Sequence, residues 1–329
     1  METSKTKRVV WRLLEIREVG AILPLAIGFL FFALKSDRFL SADNMTNVLR
    51  IASFTMICAI GECYLLIAGS WDISIGATYS MGGVIAGLAM TSWEFPIWGA
   101  VIAALACGGV VGVVNGFLVQ KLELPAFVAT VGTQFMAKGL VQGITRGTPV
   151  YPLPDPFLKV GQDNADIFGL QIPWVVLIAA GMAVVAALIL KYTTYGRKLF
   201  AAGGNGEAAR LAGIPTSRLR FGAFILTGVL AALTGVLMAS RLGSAQASVG
   251  NGFEMIVIAG AVIGGISMSG GAGSILGMAL GAFFMAMITN GMTLIKISAY
   301  WQTLVTGALL IFACSLEFVR NRLKNSLDK

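Results

Sequence analysis

Along the chain, long apolar runs alternate with short polar breaks marked by glycine, proline or charge. About ten runs are long enough to cross a bilayer: residues 19–34, 48–68, 73–90, 97–119, 125–143, 173–190, 219–240, 253–266, 273–295 and 299–318. Each approaches the ~20 residues that carry a helix across ~30 Å of hydrocarbon. The eighth and ninth are glycine-rich and closely spaced, which blurs their boundaries. No small-residue cleavage pattern follows Leu34, so the first run reads as a span and not as a signal peptide. The pattern predicts an all-α, polytopic membrane protein of about ten transmembrane helices. It is expected to form one transmembrane domain over residues 1–329, with its spanning core at 18–320.

Composition agrees. Apolar residues make up 57% of the chain and charged residues 12%, half the ~25% of soluble domains. So few charges cannot cover a soluble surface of this size, whereas a bilayer removes the need. The net charge of +8 does not point to nucleic acid, because the basic residues lie in the short connections between apolar runs. With a cytoplasmic N-terminus, sixteen Lys and Arg fall in inside loops and tails. Six fall outside: Lys35, Arg38, Arg146, Lys159, Arg241 and Lys296. That asymmetry places both termini in the cytoplasm. It also makes 144–172, rich in proline and carrying Asp155, Asp163 and Asp166, an external (periplasmic) loop, and 191–220 a basic cytoplasmic loop with a short helix.

Cys58, Cys63, Cys107 and Cys314 sit in apolar runs without paired spacing and read as small buried hydrophobes, not as a disulfide framework or a zinc site. The sequence has no histidine, which excludes histidine-ligated metals and imidazole-based catalysis. No phosphate-binding loop of the Gly-x-x-x-x-Gly-Lys-Ser/Thr form occurs. No catalytic residue, metal or cofactor is expected.

Gly108, Gly112 and Gly116 recur every fourth position in the fourth run, as do Gly273, Gly277 and Gly281 in the ninth. Small residues at that interval let another helix approach closely, or form a smooth wall of a solute path. Residues 67–76 and 264–277 echo one another: each ends an apolar run in Gly/Ser and restarts with Ser-Ile and glycine, as duplicated transporter halves do.

Residues 204–209 fit Gly-x-Gly-x-x-Ala, but the next span begins near Leu219 and leaves no room for a second strand, so a dinucleotide site is not indicated. The physical reading is a cytoplasmic helix capped by Asn205 and ended by Gly213. Glu207 lies near its positive start and Arg210 near its negative end. Glu62, an acid well inside a span, should face a cavity or a partner, since an ionised carboxylate costs on the order of 3 kcal/mol or more at the membrane centre. A place near the solute path and a structural hydrogen bond both fit it. Lys138 is placed to snorkel outward. Asp72 and Ser74 read as a helix N-cap. Asn115, Gln134 and Asn290 are polar residues deep in spans, as interhelical hydrogen bonds or as path-lining groups.

The chain resembles the permease subunits of ATP-binding-cassette importers for ribose, xylose, arabinose, galactose and related solutes. The likeness is densest in Tyr195-Gly-Arg-Lys through Asn-Gly-Glu-Ala-Ala-Arg-Leu-Ala-Gly-Ile214. It continues in Ala239-Ser-Arg-Leu-Gly-Ser-Ala-Gln246, Ile263-Gly-Gly-Ile-Ser-Met-Ser-Gly-Gly-Ala-Gly-Ser-Ile275, Tyr300-Trp-Gln302 and Trp71-Asp-Ile-Ser-Ile-Gly76. The resemblance implies ten spans and a dimer with an identical or homologous permease in the lipid of the bacterial inner membrane. It also implies cytoplasmic ATPase subunits and a periplasmic solute-binding protein. It makes Asn205, Gly206, Glu207, Ala208, Ala209, Arg210, Leu211 and Gly213 the coupling helix to the ATPase. The chain departs from the family pattern at Glu62-Cys63, Ile256 and Ala272, so no particular sugar is carried over. The alternatives are a branched-chain amino-acid permease and a self-sufficient secondary transporter.

Overall fold

The computed structural model describes residues 19–167 and 169–327. Of the basic residues used for orientation, Lys5, Lys7, Arg8, Arg12, Arg17 and Lys329 lie outside them. In chain order the elements are α1 (Val19–Lys35), α2 (Ala42–Ile67), α3 (Ile75–Thr91), α4 (Ile97–Gln120), α5 (Ala126–Thr145) and α6 (Asp155–Gln162). A hairpin of β1 (Asn164–Ile167) and β2 (Leu170–Pro173) follows, then α7 (Trp174–Tyr192), α8 (Thr194–Gly204) and α9 (Gly206–Leu211). The chain continues through α10 (Thr216–Leu242), α11 (Phe253–Ile263), α12 (Ile275–Leu294) and α13 (Ala299–Leu327). Helices answer nearly every apolar run because a chain in hydrocarbon has to satisfy its backbone groups within each segment.

α10 is the central post and packs against α2, α3 and α4. The glycine repeat of α4 makes the closest of these approaches. A methyl group on Gly108 would strike the Gly228 carbonyl, and one on Gly112 the Phe224 carbonyl and Ile225 Cα. The packing reading of that repeat therefore holds. In the ninth run, Gly277 and Gly281 face Gly264, which caps the end of α11, and Gly260 within it in the same way. Gly273 does not belong with them, since it precedes the cap Ser274 outside α12. Over their most apolar windows α2 is 83% buried, whereas α4 and α7 are 22% buried. The outer helices thus offer their apolar faces to the surroundings.

The eighth expected span is corrected. α11 has only 11 residues, about 16 Å at 1.5 Å per residue, half of what a crossing needs. The remainder of run 253–266 turns into a loop, 264–274, with positive φ at Gly265, Gly270, Gly271 and Gly273. α3 is interrupted as well: it begins at Ile75, after a non-helical stretch at 68–74 that is mostly buried. The connection 144–172, expected to be external, is more ordered than its prolines suggest. α6 packs on α10, with Gly161 N–H donating to Ser240 Oγ (2.9 Å) and that hydroxyl donating to Phe157 O (2.6 Å). The hairpin pairs Asn164 with Pro173 and Ile167 with Leu170. α7 joins the hairpin end of the molecule to the end that carries α8 and α9.

Candidate functional site

Three places carry the polar chemistry: the α9 end, a buried network above it, and a cavity at mid-depth.

At the α9 end, Thr193 Oγ1 accepts from Gly196 N–H (3.2 Å) and starts α8. Asn205 ends α8 and caps α9, its Oδ1 accepting from Ala208 N–H (2.9 Å). Gly213, at φ +78°, closes the far side, and Ile214 N–H reaches back to Ala209 O (3.0 Å). Glu207, Ala208 and Arg210 are exposed, and Leu211 is 79% exposed, an unusual place for leucine unless something covers it. Ala209 is buried against its own chain. Of the residues expected to form the coupling helix, Ala209 is thus not on the surface open to a partner.

The root of this arm is wedged between the two echo segments, which lie side by side. Gly271 N–H donates to Ile67 O (2.9 Å). A methyl group on Gly203 would collide with both Ile67 O and Gly271 N. Arg220, in the first turns of α10, donates from Nε to Ala68 O (2.8 Å) and from Nη2 to Ala202 O (3.1 Å). Ser267 Oγ, in loop 264–274, donates to Glu317 Oε1 of α13 (2.7 Å). One cluster of hydrogen bonds thus joins the α8–α9 arm to both helix interruptions.

Above it, Glu62 and Asn115 come together in a fully buried network. Glu62 Oε1 accepts from Asp72 N–H (3.1 Å). Asp72 Oδ1 accepts from Ser74 N–H (2.7 Å) and Ser74 Oγ–H (2.6 Å), and its Oδ2 from Asn115 Nδ2 (3.0 Å). Thr133 Oγ1 donates to Asn115 Oδ1 (2.6 Å). Asp72 and Ser74 are therefore not the simple N-cap expected. Ser74 makes no side-chain capping bond to α3, and Asp72 organises the turn from which α3 starts. Glu62 Oε2 is buried with no donor.

The mid-depth cavity was not legible as a unit. It measures about 110 Å³ and is framed by Gly76, Ala77 and Ser80 of α3, Gln134 and Lys138 of α5, and Asn251, Gly252 and Glu254 at the start of α11. α3 runs from it toward the hairpin end, where Gly87 meets Ala245 and Val150. α11 runs the other way, toward the α9 end. The first turns of two interrupted helices therefore meet here. The loop before α11 is held to α3 by Gly250 N–H donating to Ser80 Oγ (2.9 Å), and Phe253 stacks on Tyr79 with centroids 4.5 Å apart. Glu254 is 7% exposed and its Oε2 has no donor, while the Gln134 side chain is within hydrogen-bonding reach of its carboxyl group and Lys138 within electrostatic reach. Lys138 thus turns toward this cavity and does not simply snorkel. A second cavity of about 270 Å³, lined by Gln142, Pro149, Gln246 and Ser248, lies toward the hairpin end and shares Ala247 with the first. Asn290 belongs to none of these places. It is buried near the far end of α12, with Oδ1 lacking a donor.

Sequence reasoning missed Asp72 as an organiser, Arg220 as a tie, and Glu254. For Glu254 the signal was present: Gly250-Asn-Gly252 breaks the chain immediately before an acid that opens an apolar run.

A sequence-family profile described as "Branched-chain amino acid transport system / permease component" matches residues 44–314. The Xylose transport system permease protein XylH of Haemophilus influenzae is 29% identical, over 90% of this chain and 94% of the relative. XylH of Escherichia coli K12 is 30% identical, over 92% and 91%. The Autoinducer 2 import system permease protein LsrC of Salmonella typhi is 35% identical, over 90% and 84%. With apolar helices throughout and a profile match across most of its length, the chain belongs to the branched-chain amino acid transport system permease-component family.

Proposed function

We propose that this chain is the membrane-spanning subunit of an ATP-driven importer, carrying a sugar or sugar-like solute inward across the bacterial inner membrane and leaving ATP hydrolysis to other subunits. The observation that carries this reading is kinship over some nine-tenths of the chain with relatives named as xylose and autoinducer 2 permeases. The geometry supports it. A polar cavity lies between interrupted helices, and a rigid, capped helix with an exposed leucine stands at one end. In this reading residues 1–329 act as one transmembrane domain. Two permease subunits, identical or homologous, pair in the lipid. Cytoplasmic ATPase subunits engage Glu207, Ala208, Arg210 and Leu211, and a periplasmic solute-binding protein docks at the hairpin end. The excess of basic residues around α8 and α9 supports an orientation with that end and both termini inside.

The description of the family favours a second reading, transport of branched-chain amino acids. Reconstitution of the permease with its ATPase subunits and binding protein in liposomes decides between them. ATP-dependent uptake of D-xylose is expected. Uptake of leucine instead would establish the second reading, and solute uptake driven by a proton or sodium gradient without the ATPase would overturn both.

A further inference from the structure

We propose that the cavity between α3, α5 and the start of α11 is a subsite for the hydroxyl groups of a neutral, polyhydroxylated solute, reached from the hairpin end along one polar face of α5. The proposal rests on the importer reading and names the residues that would hold its cargo.

Three independent observations converge. The first is Glu254, a buried acid that lines a polar cavity and whose Oε2 has no donor, being packed against Gly76. Burying such an oxygen is costly unless a donor arrives, and a solute hydroxyl is a donor of the right kind. The second is the stripe on α5. Gln134, Lys138 and Gln142 are four residues apart, so they share one helix face, and that face lines both cavities in turn. The sequence Gln, Lys, Gln offers donors and acceptors to a polyol all along the way. The third is the pair of helix starts. The first turns of α3 and α11 border the cavity, and helix N-termini present N–H groups and a positive field to electronegative oxygen. Discontinuous helices meeting at mid-depth are a recurrent way to build a transporter's solute site.

Charge chooses the solute class. Glu254 and Lys138 both line the cavity, one acid and one base, so their formal charges cancel. A zwitterion would have to separate them, whereas a neutral polyol uses both without disturbing the balance. Size fixes the extent: about 110 Å³ is the room of three or four waters at ~30 Å³ each. It accepts one edge of a pentose-sized solute, with the rest in the adjoining cavity.

The test uses the complete importer in liposomes with D-xylose as probe. It measures xylose taken up per ATP hydrolysed for the wild-type chain, Glu254→Gln and Lys138→Met. Losing one charge-assisted hydrogen bond to solute should lower that ratio about tenfold in either variant. A ratio equal to wild type in both, whether the rates stay high or fall together, overturns the subsite and leaves the importer reading intact. A wild-type complex that takes up leucine and not xylose overturns the solute class and the subsite together.

Discussion

Asp72 shows what one buried side chain holds in this molecule. Its two oxygens take up three donors, the Ser74 N–H and hydroxyl and the Asn115 amide. No water replaces them at 0% exposure. Asp72→Ala should leave the Ser74 N–H and hydroxyl without partners, the Asn115 amide keeping its bond to Ser74 Oγ (2.9 Å), and destabilise the fold by about 2 kcal/mol. Glu62→Gln should cost much less, because an amide oxygen still accepts from Asp72 N–H. Thermal unfolding of the purified permease in detergent checks the order of the two; an Asp72→Ala variant as stable as wild type would remove Asp72 from its organising role. At this scale the sequence revealed that Glu62 and Asn115 were special, since a carboxylate and an amide in apolar runs need partners. It did not reveal which partners. Asp72 looked like a cap because caps and buried turn organisers use the same residue type, and only tertiary contact separates them.

Among the elements, the long spans were readable because hydrocarbon leaves few alternatives to a continuous helix. α11 was not, because hydropathy averages straight across a break: Ile266 and Met268 keep loop 264–274 apolar although its glycines end the helix. The hairpin was hidden for another reason: its strands, Asn164–Ile167 and Leu170–Pro173, are only four residues each and mix polar with apolar positions, too short for a pattern to stand out. The polar stripe of α5 was visible in principle as a spacing of four, but its meaning depends on the cavity it faces. The same elements give the orientation a direct check. Leu170 in β2 is 65% exposed and Ala212 just after α9 is exposed, so a single cysteine at either place costs no internal contact. With Cys107 and Cys314 replaced and the buried Cys58 and Cys63 kept, a membrane-impermeant thiol reagent should label Leu170→Cys in intact spheroplasts and Ala212→Cys only after lysis. Labelling of both from the same side would defeat the proposed topology.

Across the whole molecule, the α9 end and the mid-depth cavity are joined mechanically. Gly203 of the arm sits between Ile67 and Gly271, and Arg220 pins Ala202 and Ala68 together. The two segments held this way lead into α3 and out of α11, the interrupted helices that frame the cavity. A pull or push on α9 therefore reaches the cavity through two short turns rather than through the length of a span. This separates two functions that a single variant at α9 would confuse. Glu207→Ala with Arg210→Ala removes exposed charges that would set register on the ATPase, so it should weaken capture of the ATPase subunits by the permease. Arg220 is half-buried and points inward, so Arg220→Ala should leave capture near wild type. It deletes two hydrogen bonds from a cation to backbone carbonyls, each worth roughly 1.5–3 kcal/mol, and loosens the arm from both turns. Stimulation of ATP hydrolysis by loaded binding protein should then fall at least tenfold. Co-purification of the ATPase subunits and the stimulated ATPase rate, measured on the same preparations, give the two readouts. If Arg220→Ala keeps full stimulation, motion reaches the cavity by another route; if it loses the ATPase subunits as completely as the double variant does, the arm and its anchor are one docking surface and no separate transmission step exists.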